Sequence, residues 1–214
     1  MNFNRKETVR RFLEMRDWEG LSDWAKTERS AIRVVSASLL SDDALMSWRA
    51  TEALGKLAGQ KARMNGANSV RAIVRRLLWG MNDESGSIIW NAPEAIAEIL
   101  VNVPELTDKY GRIVASFIDL EPFPRGVHWA IARLSEIKSN VFSDMIAVLR
   151  VSLASQDPAI RAFAAKALVK MQVLSSDDIE RNLLRDEAEF QMYDMGIGEM
   201  ISITVAAYCR RVIK

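Results

Sequence analysis

Cysteine and histidine are nearly missing from this chain of 214 residues: Cys209 is its one cysteine and His128 its one histidine. One thiol cannot close a disulfide within the chain or supply the paired ligands of a cysteine-rich zinc or iron–sulfur centre. One imidazole excludes a multi-histidine metal site. The sequence also lacks a G-x-x-x-x-G-K phosphate loop, an H-E-x-x-H helix and a nucleophile elbow. No apolar run approaches the roughly 18 residues of a membrane span, and Met1 to Trp24 is charged throughout, without the apolar stretch of a secretory signal. The reading is a chain of the reducing cytoplasm that needs no metal or cofactor.

Hydrophobic residues make up 49% of the chain and charged residues 27%, so a core can form without staples. The net charge of +1 hides an asymmetry. Residues 1–80 carry 15 Lys/Arg against 9 Asp/Glu, and residues 81–214 carry 14 against 19. Much of the excess lies in Lys56, Lys61, Arg63, Arg71, Arg75 and Arg76, which follow one another with no acid between Ala53 and Asn82. Such a run is either a candidate anion contact or a solvated loop with its flanking helix faces.

Apolar residues recur at spacings of three and four, as in Val70, Ile73, Val74, Leu77 and Leu78, which predicts amphipathic helices through most of the chain. The breaks are short and carry turn chemistry: Ser41-Asp42-Asp43, Asn82 to Gly86, Glu121-Pro122-Phe123-Pro124 and Ser155-Gln156-Asp157-Pro158. Four segments look alike: WRATEALGKL from Trp48, WNAPEAIAEI from Trp90, HWAIARLSEI from His128 and AFAAKALVKM from Ala162. Their starts lie 42, 38 and 34 residues apart, which leaves room for one further helix between each pair, near 67–80, 107–119 and 139–154.

In these segments the chain resembles the HEAT-repeat family, including its phycobilisome-lyase-type members. The nearest copy of the family's D-P-x-V-R-x-x-A-A-x-A-L pattern is Asp157-Pro158-Ala159-Ile160-Arg161-Ala162-Phe163-Ala164-Ala165-Lys166-Ala167-Leu168. The other copies have Ser47, Ile89 and Val127 at the arginine position. The resemblance implies an all-α superhelix of HEAT/armadillo type: capping helices over 1–28, helix-pair repeats over 29–173 and a C-terminal cap over 174–214, in one domain. Within the cap, Ser175-Ser176-Asp177-Asp178 reads as a helix N-cap. Phe190 to Tyr193 and Met200 to Thr204 flank a glycine-containing turn, which predicts a β-hairpin at about 188–204 followed by a helix.

The resemblance also places Trp48, Trp90 and His128 at equivalent positions on a concave face, with Glu52 and Glu94 one turn beyond the two indoles. Indoles beside carboxylates suit cations or basic peptide segments, and they equally suit packing between helices. The leading expectation is a non-enzymatic interaction module that takes a protein or peptide on Trp48, Glu52, Trp90, Glu94 and His128. The alternative is a nucleic-acid enzyme similar to the HEAT-like alkylpurine DNA glycosylases, with a carboxylate steadying the sugar cation and the basic stretch holding phosphates. A tetrapyrrole-handling lyase ranks below both. Cys209, beside Arg210 and Arg211, has a lowered thiol pKa if it is exposed and is inert if it is buried with Val205 and Ala206.

Overall fold

The computed structural model describes residues 4–82, 88–174 and 183–213. The Asn82-to-Gly86 turn past Asn82 and the Ser175–Asp178 N-cap lie outside the described residues. The described chain is mostly helical, with one small two-stranded antiparallel hairpin. The short breaks become caps. Asp43 accepts backbone N–H bonds from Leu45 and Met46, and Asp157 accepts one from Ala159 just ahead of Pro158. Contacts gather the chain into two compact units, Met1–Leu106 with Met195–Glu199, and Thr107–Asp194 with Met200–Lys214.

In the first unit, α1 (Arg5–Met15), α2 (Trp18–Thr27), α3 (Ala31–Ala37) and α6 (Ala92–Asn102) pack on α4 (Ala44–Asn65), and α5 (Arg71–Met81) packs on α6. α4 and α6 pack most extensively. Gly55 makes that approach feasible, because a Cβ there would stand 2.8 Å from the Glu98 carbonyl oxygen. The interface buries Ala50, Ala53, Leu54 and Leu57 against Ala95, Ile96, Ile99 and Leu100.

In the second unit, α7 (Thr107–Ala115), α8 (Pro124–Lys138), α9 (Ile146–Ser152) and α10 (Pro158–Lys170) pack in sequence order, with α8 against α10 as the closest pair. Strands β1 (Glu189–Asp194) and β2 (Glu199–Thr204) and helix α11 (Val205–Ile213) follow. Phe163 of α10 meets Phe190 of β1 and Tyr208 of α11 edge-on, each pair of centroids 5.7 Å apart, so these elements cover the α10 face. Arg161, the arginine of the D-P-x-V-R-like segment, forks onto both carboxylate oxygens of Asp186 at 2.7 and 3.1 Å.

Candidate functional site

Glu52 lies on the α4 face that α1 and α2 cover, and only 6% of its side chain is exposed. Arg16 Nη2 donates to both of its oxygens at 2.9 and 3.0 Å, and Trp18 Nε1 donates to Oε1 at 3.0 Å. Arg16 ends α1 in a left-handed backbone (φ 49), the conformation usually left to glycine. Its guanidinium also donates to the Met195 carbonyl. Buried Arg49 donates to the carbonyls of Glu14 and Gly198 and pairs with Glu199 at 2.7 Å. The hairpin tip and the start of the chain are thus tied by two arginines that satisfy backbone carbonyls. Glu94 on α6 is buried as well, at 7% exposure. Neither carboxylate faces solvent as the expected binding surface required: α1 and α2 cover the face of Glu52 that the resemblance had assigned to a ligand, and Glu94 is buried on α6.

The tryptophans differ. Trp48 sits four residues into α4, as His128 does in α8 and Ala162 in α10, whereas Trp90 stands ahead of α6 and is 68% exposed. The expected equivalence of Trp48 and Trp90 therefore fails in the backbone, yet the fold still brings them together. Asn91 Nδ2 donates to Ser47 Oγ at 2.8 Å, and Ser47 Oγ donates to the Leu39 carbonyl at 3.0 Å. The next residue along the chain from Ser47 is Trp48, the one before Asn91 is Trp90, and the one after Leu39 is Leu40. The two hydrogen bonds therefore set these three apolar side chains around one groove of about 450 Å³, with Ile88 and Asp42 on its walls. Leu40 is 55% exposed. Leu40, Asp42 and Ile88 were missed in the sequence, since their part in the groove depends on a side-chain bond spanning 44 residues.

His128 belongs to the second unit and is buried. Its Nδ1 lies 2.6 Å from the Pro124 carbonyl, one turn back, and its Nε2 lies 2.8 Å from Ser152 Oγ. The carbonyl requires a proton on Nδ1, so Nε2 is an acceptor in the neutral ring. Burial holds its pKa below the usual histidine range, against the opposing pull of the Pro124 bond and of Asp119 and Asp157. The expected surface role is corrected here: this histidine is a packed, hydrogen-bonded core residue. Cys209 is buried too, and burial pushes its thiol up to about 12, so the inert alternative holds.

The basic residues divide among three surfaces. Lys56 and Arg63 line a polar groove with Trp18, Ser22 and Lys26. Lys61 lines a second groove with Arg29, Ile32 and Met64. Arg75 and Arg76 lie on the outer face of α5, and Arg71 stands half-buried at its start.

No family model matches the chain, and no solved structure matches it. A protein of Archaeoglobus fulgidus described as uncharacterized is 30% identical to it over 159 residues, which span 73% of this chain and 82% of that protein. Among the described residues no helix is long and apolar enough to cross a membrane.

Proposed function

The chain belongs to one family with the uncharacterized Archaeoglobus fulgidus protein, and for this member we propose a non-enzymatic protein-interaction module of HEAT-like helix pairs that binds a peptide segment between Trp48 and Trp90. Support for the repeat reading comes from within each unit. α3 packs on α4, α5 on α6, α7 on α8 and α9 on α10, while the similar segments supply the closest pairs, α4 with α6 and α8 with α10.

The observation that carries the binding reading is an indole left two-thirds exposed at the mouth of a groove that a second indole and Leu40 also line. A large aromatic held out of the core by the Asn91–Ser47 bond forgoes burial that folding would otherwise reward. Asp42 on the wall gives the groove a negative rim, which suits a Lys or Arg beside an aliphatic side chain. Glu52 and Glu94, buried, give the glycosylase-like alternative no carboxylate to offer a sugar. The partner is a cytoplasmic protein in this reading.

The test is peptide display against the full chain, followed by titration of the enriched peptides. Sequences pairing a basic with an aliphatic residue are expected, and Trp90→Ala should weaken them at least tenfold, in keeping with an aromatic anchor worth about 2 kcal/mol. Peptides that bind Trp90→Ala as tightly as the parent would sink the proposal.

A further inference from the structure

We propose that the outer face of α5 is a second, separate binding surface, for single-stranded nucleic acid, on which Arg75 and Arg76 hold phosphates and Trp79 stacks on a base. The apolar side of α5 is consumed by the core, since Val74, Leu77 and Met81 are buried. The opposite side presents Ala72, Arg75, Arg76 and Trp79 to solvent, spaced by three, four and seven residues and so in one stripe. Trp79 is 77% exposed, more than any other large hydrophobic residue described. Arg75 is four residues and Arg76 three residues before it, which puts both guanidinium groups within reach of whatever lies against the indole.

Charge sets this stripe apart. Arg5, Arg10, Arg16, Lys26, Arg49, Arg133, Lys138, Arg161, Lys166 and Arg211 each form an ion pair. Among the described residues none of Lys56, Lys61, Arg63, Arg71, Arg75 and Arg76 does, and the intervening sequence holds no acid. Exposed arginines with no ion pair among the described residues, spaced along a helix, complement a phosphate backbone. The exposed indole one turn beyond them supplies the sequence-tolerant stacking that single strands use and that paired bases do not offer. A lipid surface fits less well: the stripe itself has no aliphatic side chain larger than Ala72 to enter a bilayer, since Val74 and Leu77 face the core and Ile73 and Leu78 are part-covered beside it.

Fluorescence anisotropy of a labelled 20-nucleotide oligo-deoxythymidylate with the full chain, at several salt concentrations, tests this. The expected result is binding that weakens steeply as salt rises. Trp79→Ala should weaken it about tenfold, the effect of losing one stacked base. The double variant Arg75→Glu/Arg76→Glu should lower the slope of log affinity against log salt by about 1.4, at roughly 0.7 per phosphate on a single strand. Both variants alter solvent-exposed side chains, and circular dichroism will check that they fold. Trp90→Ala should bind the oligonucleotide as the parent does, which separates this surface from the peptide groove. The proposal is overturned by no binding at low salt, by binding that the charge reversal leaves unchanged, or by capture on phosphatidylserine vesicles without binding to the oligonucleotide.

Discussion

The same position of the repeated segment is solved in opposite ways in the two units. Four residues into each segment stand Glu52 and Glu94 in the first unit, and Ala132 and Lys166 in the second. Glu52 is sealed beneath Arg16 and Trp18, whereas Lys166 reaches Glu136 at 2.7 Å with both partners part-exposed. Lys166 and Arg133 together hold the Glu136 carboxyl below the usual range, against the upward push of its burial. A position shared by α4, α8 and α10 thus does not fix what covers the side chain that stands there. The two pairs differ in the carboxylate, 6% exposed at Glu52 and 27% at Glu136, so the Glu52 carboxylate depends more on its cation than Glu136 does.

Breaking the sealed pair should have the largest effect. Glu52→Ala takes the carboxylate from the part-buried Arg16 guanidinium and the acceptor from the Trp18 indole, and should cost about 2 kcal/mol in urea unfolding. Adding Arg16→Met should recover much of that loss, because the uncompensated charge is what destabilises; a double variant no more stable than the single would refute this account. Lys166→Met removes the rim pair and should change stability by less than about 1 kcal/mol. A loss near that of Glu52→Ala would erase the distinction between the two positions.

The smallest effect is a pH slope in the second unit. The folded chain keeps His128 neutral below the ordinary histidine value of 6.5, while the unfolded chain takes up a proton there. Stability is therefore full above that value and falls as the pH drops beneath it. Glu136 and Asp186 are both held below the carboxylate range, Asp186 by the Arg161 fork and the Ala188 N–H against its own desolvation, so their contributions fade only at lower pH. Between pH 7.5 and 5.5 the melting temperature should fall for the parent and stay flat for His128→Asn, as followed by circular dichroism.

Helices and hairpin were legible because they depend on neighbours in sequence. Val70, Val74 and Leu77 repeat at the helical period and are buried, and the hairpin predicted at about 188–204 spans Glu189–Thr204. The site was legible only in part. Trp48 and Trp90 do share a groove, but through the Ser47–Asn91 bond and not through equivalent places on two helices. Glu52 was misread because its partners come from 34 and 36 residues earlier, and no periodicity encodes which helix folds over which. Trp79 offered no separate signal, since a tryptophan in an amphipathic helix usually adds to the core.

The burial of Cys209 makes the protein silent to thiol chemistry. With its thiol at about 12, almost no thiolate exists at neutral pH, and the side chain is 1% exposed. Alkylation needs an opening, local or global, that exposes Cys209, so the rate of modification is a built-in clock for that opening. A cysteine introduced anywhere on the surface would then be the one fast-labelling handle on the native chain.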